Sequence, residues 1–221
     1  MKQKLIIFGI GEIGELAKFY FDNDSNFETV AFTLDEEFIK ENHFSGLPVY
    51  SFGNLENYFN PEDFYIFIAI GYSKMNRIRE SKYNQALSKG FKLASYISSK
   101  ATIFQNCTIG SNCFILEDNT IQPFVKIGDN VTLWSGNHIG HHTLIKDNCF
   151  ITSQVVISGG VEISENCFVG VNSTIRDRIK IGSFSLIGAG SLILKSIEPN
   201  GVYLTKGTER SKVPSNRIRS I

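Results

Sequence analysis

The sequence predicts an α/β domain followed by an all-β solenoid of stacked strands, and three observations lead to this prediction. An aliphatic residue returns every six positions through the second half of the chain. Strand-like and helix-like segments alternate in the first half. A glycine-rich turn, Gly9 to Gly14, follows the first apolar segment. We expect the boundaries at 1–96 for the α/β domain, 97–198 for the solenoid and 199–221 for a basic C-terminal segment.

Composition excludes several classes of protein. The 221 residues are 42% hydrophobic, and 22 basic residues balance 22 acidic ones. A net charge of zero gives no reason to expect binding to nucleic acid or to a membrane surface. No apolar run approaches the roughly 18 residues of a membrane span. The run Leu5 to Ile10 is too short for a signal peptide, so we expect a cytoplasmic protein.

Alternating elements organise the first ninety-odd residues. We expect a strand at Lys4 to Phe8 and a helix that ends near Asn23. Further strands are expected at Thr29–Leu34, Phe64–Ile70 and Lys92–Ile97, with a helix at Lys74–Lys89. Alternation of this kind predicts a mostly parallel sheet.

The spacing Gly9-x-Gly11-x-x-Gly14 after a strand, with Asp35 about twenty residues later, is typical of a nucleotide-binding turn. Glycines permit a tight turn and let a phosphate approach the N-terminus of a helix. The domain has room for about half a dinucleotide fold, which favours a mononucleotide or a nucleotide-linked sugar. A purely structural turn and an NAD site remain alternatives.

A six-residue repeat governs the second half. Seventeen consecutive positions at this spacing carry Ile, Leu or Val, from Ile97 to Ile193. A helix is excluded because its period is 3.6 residues. The position four residues after each aliphatic is mostly small, and all four cysteines occupy it, which indicates inward-facing residues. Three short strands per coil give 18 residues per coil, and such coils are stabilised by stacking.

Three of the four histidines lie inside this repeat, in one stretch of five residues: His138, His141 and His142. The third and fourth positions of a unit are where the chain turns, so His141 and His142 are expected to point outward. A general base is favoured because imidazole titrates near neutral pH. Exposed turn residues are an alternative. No cysteine or carboxylate stands at a metal-ligand spacing, and no metal is expected.

Stacking arithmetic predicts the neighbours of these histidines. One coil further on lie Gly159 and Gly160, whose bare surface would let a ligand lie along the prism. Asp177 and Arg178 follow after two coils and Lys195 after three. Gly188, Ala189 and Gly190 form a second patch of small residues. The tail from 200 to 221 has a net charge of +4 and is either a solvated tail or the end of an anionic-cofactor site.

These features together resemble the bacterial nucleotide-sugar acetyltransferases of the PglD/NeuD type, over about residues 3–205. The most specific parts are Gly9 to Gly14, Ile139-Gly140-His141, residues 166–173 and 187–190. The resemblance implies a small Rossmann-like domain and a left-handed parallel β-helix. It also implies a cytoplasmic homotrimer with active sites between subunits.

The function implied is an acetyl-CoA-dependent N-acetyltransferase acting on a UDP-, dTDP- or GDP-linked 4-amino-4,6-dideoxysugar, in lipopolysaccharide, O-antigen or glycan biosynthesis. Alternatives are O-acetylation of a sialic-acid-like sugar, a non-catalytic scaffold and, least favoured, an NAD-dependent oxidoreductase. No metal takes part in the implied reaction.

The resemblance implies that His141 is the catalytic base. Many relatives carry Glu next to that histidine, where this chain has His142, and a second His nine residues on, where this chain has Phe150. The group that orients His141 is therefore open, with His138, Asn137 or a carboxylate from elsewhere as candidates. The catalytic set is His141, His142, Asn137 and His138.

The implied ligand sites complete the expectations. The residues expected along acetyl-CoA are Gly159, Gly160, Val171, Gly188, Ala189, Gly190, Lys195 and Lys206. The residues expected around the nucleotide are Gly9, Gly11, Glu12, Ile13, Gly14, Asp35, Gly71 and Arg77. Trp134, close to the histidines, is expected either to stack on a ligand or to pack between subunits.

Overall fold

The chain forms an α/β sheet structure that leads into a parallel β-helix. The computed structural model describes residues 2–217. The first part has this order of elements: β1 (Gln3–Phe8), α1 (Glu12–Asn23), β2 (Phe27–Leu34), β3 (His43–Phe44), β4 (Leu47–Ser51), β5 (Phe64–Ile68), α2 (Arg77–Ser88) and β6 (Lys92–Leu93). The strand order is β3-β4-β2-β1-β5-β6, and β3 pairs with β4 in the antiparallel direction. Short 3-10 turns lie at Glu36–Phe38, Phe52–Asn57 and Ser215–Arg217.

Two sequence expectations for this part need correction. Helix α2 begins at Arg77, later than expected, because Lys74, Met75 and Asn76 all adopt positive φ angles of 51°, 51° and 64°. Three left-handed residues in a row cannot belong to a right-handed helix. The strand expected at Lys92–Ile97 is two strands that belong to different sheets, so the chain changes from one sheet system to the next between residues 93 and 96. The pair β3–β4 was not expected.

The β-helix consists of two-residue strands in three parallel sheets, which we call faces 1, 2 and 3. Face 1 contains β7 (Tyr96–Ile97), β10 (Phe114–Ile115), β13 (Thr132–Leu133), β16 (Phe150–Ile151), β19 (Phe168–Val169), β22 (Leu186–Ile187) and β24 (Val202–Tyr203). Face 2 contains β8 (Thr102–Ile103), β11 (Thr120–Ile121), β14 (His138–Ile139), β17 (Val156–Ile157), β20 (Thr174–Ile175) and β23 (Leu192–Ile193). Face 3 contains β9 (Thr108–Ile109), β12 (Lys126–Ile127), β15 (Leu144–Ile145), β18 (Glu162–Ile163) and β21 (Lys180–Ile181).

The expected register of 18 residues per coil is what the structure has. Phe114 pairs with Thr132, and His138 pairs with Val156. The second residue of each strand from β7 to β23 is one of the repeated aliphatics, and from Ile115 to Ile193 these side chains are buried in one central core. Cys113, Cys149 and Cys167 are buried in the same core, and all four cysteines are free thiols. Packing in the core of the prism accounts for the presence of cysteine at these positions, so neither a catalytic nor a metal-binding role is needed.

The corners of the prism depend on left-handed residues. The fourth residue of each unit has a positive φ, from Asn106 through Gly190, and most of these residues are Asn, Asp or Gly. These residue types adopt that conformation at the lowest cost. The pattern was present in the sequence but was not part of the prediction. It determines the backbone of His142, whose φ is 59°.

Face 1 is covered by the α/β part of the chain. Tyr96 and Phe114 pack with Phe21 and Phe67 in one buried cluster. Trp134 packs against this same cluster, so neither ligand stacking nor packing between subunits is needed to explain it. Faces 2 and 3 have no such cover among residues 2–217 and remain open to solvent or to another molecule.

Candidate active site

His141 and His142 form the corner between faces 2 and 3, and one residue, Gly140, separates them from the buried Ile139. Both side chains are exposed, as expected. The coils on either side hold their backbone. The His141 N–H donates to Oε1 of Gln122 at 2.9 Å, and the His141 carbonyl accepts from the N–H of Gly160 at 2.8 Å. The imidazoles are thus presented to solvent from a fixed backbone.

The two imidazole rings are in direct contact. Nδ1 of His141 lies 3.1 Å from Nδ1 of His142, and the ring planes are nearly perpendicular, at 86°. The ring of His142 also lies over Phe124, with 4.7 Å between the ring centres. The opposite edge of His141 faces Gly159, where a Cβ atom would lie 2.8 Å from both Cε1 and Nε2. Only glycine leaves this edge of His141 unobstructed.

Asn137 does not reach His141, which corrects its expected catalytic role. Its side chain is buried inside the prism, where Oδ1 accepts from the Val155 N–H at 2.8 Å and Nδ2 donates to the Trp134 carbonyl. Its polar groups are satisfied by the turns of adjacent coils. His138 lies on the outer side of β14 on face 2, and no hydrogen bond joins it to His141 among the described residues.

The residues expected along the cofactor lie on two different corners. Gly159, Gly160 and Lys195 share the corner of His141. Val171 and the patch 188–190 lie on the corner between faces 1 and 2. Gly188 comes 48 residues after Gly140, which is two full coils plus two six-residue units, and those two extra units move it to a different corner. Lys206 is exposed beyond β24. Within one chain, the two sets therefore flank opposite edges of face 2.

A cleft of about 560 Å³ lies at the carboxyl ends of β1, β2 and β5. The lining residues that the sequence predicted are Gly9, Gly11, Glu12, Ile13, Asp35 and Gly71. Gly9 is structural, because a Cβ there would lie 2.7 Å from the carbonyl oxygen of Ala69 and φ is 118°. Gly14 does not line the cleft, and a Cβ there would collide with the Gly9 carbonyl. Gly11, at the N-terminus of α1, faces open space.

The basic residue of this cleft is Lys82, and the expected Arg77 lies elsewhere. Nζ of Lys82 is 2.6 Å from Oδ1 of Asp35, and both side chains are mostly buried. Arg77 lies over the ring of Phe184, at 4.7 Å, on the side of α2 that faces the β-helix. A helix turns about 100° per residue, so a helical stretch does not itself indicate which basic residue faces the cleft. Phe38 and Ile78, also in the lining, were not predicted.

The sequence and the fold are similar to those of known transferases. The family described as bacterial transferase hexapeptide (six repeats) matches residues 106–141 and 124–159. The acetyltransferase domain of PglB from Neisseria gonorrhoeae is similar in structure over 89% of this chain and 93% of that one, with a TM-score of 0.76 and 26% identity. The chain is an acyltransferase, and its residues 106–159 match this hexapeptide family. The resemblance to nucleotide-sugar acetyltransferases is thereby confirmed.

Two further solved structures share the fold of this acyltransferase. A histidine variant of perosamine N-acetyltransferase from Caulobacter crescentus, in complex with CoA and GDP-perosamine, has a TM-score of 0.80 and 20% identity over 90% of this chain and 92% of that one. WeeI from Acinetobacter baumannii has a TM-score of 0.75 and 20% identity over 91% and 96%. The mostly parallel sheets and few helices are consistent with a left-handed β-helix acetyltransferase. No curated protein is a significant match by sequence.

In this acyltransferase, α2 links the cleft to the β-helix. Arg79 is 1% exposed, and its Nη2 donates to the carbonyl oxygens of Asn130, Asn148 and Cys149 at 3.2, 3.0 and 3.2 Å. Burial lowers the pKa of Arg79 to about 10, which leaves it charged at neutral pH. Asn76 donates to the Cys167 carbonyl at 3.2 Å. Lys82, one turn after Arg79, faces the cleft from the same helix.

Two other features, a metal site and a membrane-spanning helix, are absent from residues 2–217. Within residues 2–217, no three His, Cys, Asp or Glu side chains lie close enough to hold a metal ion. No helix in the described part of the acyltransferase is long and apolar enough to cross a bilayer.

Proposed function

We propose that this acyltransferase transfers the acetyl group of acetyl-CoA to the amine of a nucleotide-linked 4-amino-4,6-dideoxysugar, with His141 as general base. The observation that carries the proposal is the exposed His141 imidazole on a β-helix corner, with its Nε2 edge over the bare Gly159. Imidazole has a suitable pKa for proton transfer near neutral pH. The solved structures of similar fold include PglB with acetyl coenzyme A and an enzyme with CoA and GDP-perosamine.

The proposed reaction needs one base and one oxyanion donor. The neutral amine nitrogen attacks the thioester carbonyl carbon, and its proton passes to Nε2 of His141 as the C–N bond forms. The tetrahedral intermediate collapses, the C–S bond breaks and CoA leaves as a thiolate. The Gly159 N–H has no acceptor within residues 2–217, and we assign it to the oxyanion. No nucleophilic cysteine is required, since three cysteines are buried and Cys107 packs against the core.

The cofactor site is proposed to form between copies of the chain. Face 2 exposes Val156 and Leu192, at 41% and 62%, while face 3 carries the charged network of Lys146, Glu162 and Lys180. Packing of face 2 edges in a homotrimer would bring the His141 corner of one copy against the 188–190 corner of the next. Val171, Gly188 to Gly190, Lys195 and Lys206 would then line acetyl-CoA together with Gly159 and Gly160.

The cleft of the α/β part is proposed to hold the nucleotide, which makes this part a Rossmann-like binding domain spanning 1–96. Gly11 leaves space for a phosphate at the N-terminus of the 12-residue helix α1, and Asp35 offers acceptors for a hydroxyl group. Holding the nucleotide there and CoA on the β-helix would orient the two reactants. Four free thiols fit a reducing cytoplasm, and glycan or O-antigen sugar biosynthesis is the proposed role.

The test is thiol release from acetyl-CoA with a panel of dTDP-, UDP- and GDP-linked 4-amino-4,6-dideoxysugars, each beside its 4-hydroxy counterpart. Turnover with an amino sugar alone is expected, and His141→Ala should remove most of the rate but keep the assembly. Turnover only with a hydroxy sugar would replace N- by O-acetylation. Acetyl-CoA binding without any turnover would reject the amino-sugar acceptor, and no acetyl-CoA binding would reject the enzyme assignment.

A further inference from the structure

We propose that His142 is the positioning residue for His141: its neutral imidazole accepts a hydrogen bond from Nδ1–H of His141 and thereby keeps Nε2 of His141 free of a proton. The inference rests on the proposed function, in which Nε2 takes the proton of the acceptor. His142 thereby takes the orienting role that a carboxylate next to His141 would have. Asn137 does not take this role, because its side chain is hydrogen-bonded inside the prism.

The distance between the two rings requires this arrangement or its reverse. Two Nδ1 atoms 3.1 Å apart form a hydrogen bond only when one of them carries a hydrogen. When His141 donates, its Nε2 has the free lone pair of a base. When His142 donates, His141 must carry its own hydrogen on Nε2 and cannot accept a proton there. The edge of His141 over Gly159 is the one that contains Nε2, so only the first arrangement is productive.

The corner holds His142 in the accepting position. Its backbone is left-handed, its N–H donates to the Pro123 carbonyl at 3.2 Å, and its ring lies over Phe124. Phe124 is 49% exposed, and its backbone is also left-handed, with φ at 67°. This conformation is sterically unfavourable for an aromatic residue. Contact with the His142 ring gives this exposed phenylalanine a role, which is to fix the direction of the second imidazole.

Charged groups near the pair do not supply an alternative partner. Within residues 2–217, no carboxylate lies within salt-bridge distance of either ring. The next coil contributes Gly159 and Gly160, which have no side chains. The titratable and charged groups around the pair are farther along the neighbouring elements: His138 on β14, Lys126 on β12, and Asp177, Arg178 and Lys195 on later coils of the same corner.

The proton balance follows from the geometry. During reaction the amine proton goes to Nε2 of His141, while the Nδ1 hydrogen stays on His141 and continues to donate to His142. No proton moves to His142. A proton that binds the pair before reaction removes the base, whichever ring it charges, and a second proton charges both. Only the form in which both rings are neutral therefore leaves Nε2 of His141 free to act as the base.

The first test needs no substrate. Nitrogen-15 NMR of the histidine side chains in the ligand-free protein distinguishes the two neutral tautomers. We expect His141 to carry its hydrogen on Nδ1 and His142 on Nε2. A spectrum in which His141 carries its hydrogen on Nε2 would overturn the inference, whatever the acceptor proves to be. Failure of the proposed function alone would leave this tautomer result unchanged, so the two failures are distinguishable.

The second test is kinetic. His142→Leu removes the acceptor and should lower kcat about 10- to 100-fold with KM for acetyl-CoA changed less than about twofold. His142→Asn keeps both an acceptor and a residue suited to left-handed backbone, and should retain kcat within about fivefold.

The matched control is Asn106→Leu, which places leucine at another left-handed residue two coils away on the same corner. It carries the backbone strain of His142→Leu without the imidazole contact and should keep full activity. Unchanged kcat in His142→Leu, or an equal loss of kcat in His142→Leu and His142→Asn, would overturn the positioning role.

Discussion

Nη2 of Arg79 lies 3.0 Å from the carbonyl oxygen of Asn148, so helix α2, which borders the cleft of the α/β part, places a buried guanidinium on the backbone of the β-helix. Asn112, Asn130, Asn148 and Asn166 stack along that corner, and the Nδ2 to Oδ1 distances are 2.8, 2.8 and 3.5 Å. Arg79 therefore joins two parts of the chain through a polar contact that excludes solvent.

Replacement of Arg79 should destabilise the whole chain. Arg79→Met keeps much of the volume but leaves the carbonyl oxygens of Asn130 and Asn148 without their donor, and each unsatisfied buried group costs about 1–3 kcal/mol. We expect a loss of about 2–4 kcal/mol in the free energy of unfolding, measured by chemical denaturation. Arg77→Met, on the same helix but exposed, is the control and should change stability by less than about 0.5 kcal/mol. Equal stability of the two variants would contradict the bridging role.

The ion pair between Lys82 and Asp35 predicts a nucleotide-binding phenotype. Lys82→Met removes the cation of the cleft and should weaken binding of the preferred nucleoside diphosphate about 10- to 100-fold, since hydrogen bonds to charged groups contribute about 1.5–3 kcal/mol. Titration calorimetry with dTDP, UDP and GDP measures the effect. The control is Lys89→Met, which removes a lysine paired with Glu56 at the other end of α2. If Lys82→Met binds like the control, the cleft is not the nucleotide site.

The sequence was sufficient to predict stacked coils of short strands because a strict six-residue aliphatic period does not fit an α-helix and allows each coil to bury its aliphatic side chains on its neighbours. Ile139 and Ile157 are buried one above the other, as that period requires. The exposed pair His141 and His142 and the stacking of Gly159 beneath them follow from the same arithmetic.

The orientations of individual side chains in the site could not be predicted from the spacing of residues in the sequence. Lys82 and Arg77 are both basic residues of one helix, and only the rotation of α2 against its neighbours decides which one reaches the cleft. The contact between two Nδ1 atoms depends on side-chain torsions, which no periodicity specifies. Asn137, in contrast, occupies the inward position of its unit, so the repeat itself already argued against its catalytic role.

Asp24 predicts how stability depends on pH. Hydrogen bonds from Ser99, Tyr96 and Ser98 hold the pKa of Asp24 below its ordinary value. Its contribution is therefore complete above the unfolded pKa of about 3.9 and is lost as pH falls through the lower folded value. Between pH 5 and 2.5, the parent protein should lose more stability than Asp24→Asn, by less than about 1 kcal/mol because solvent screens this site. Glu28→Gln, an exposed carboxylate on β2, should show no such difference in a denaturation series.

Gly159→Ala tests whether glycine is needed at this position because it leaves space beside His141 or because it gives the backbone conformational freedom. Alanine itself suits this position of a unit, since Ala189 occupies the third position of another unit. The added Cβ would lie 2.8 Å from Nε2 of His141, so the ring must move. A displacement of that size should lower kcat about 10- to 100-fold, since misplacement by about 1 Å can cost that much.

Stability should stay within about 1 kcal/mol of the parent protein in a thermal or chemical melt, because the displaced group is an exposed side chain and no core contact is lost. The control is Gln105→Ala, the third position of the same corner two coils before His141, which should leave kcat unchanged. A fully active Gly159→Ala would mean that the Nε2 edge of His141 does not need this space, and the base would have to act from its other edge.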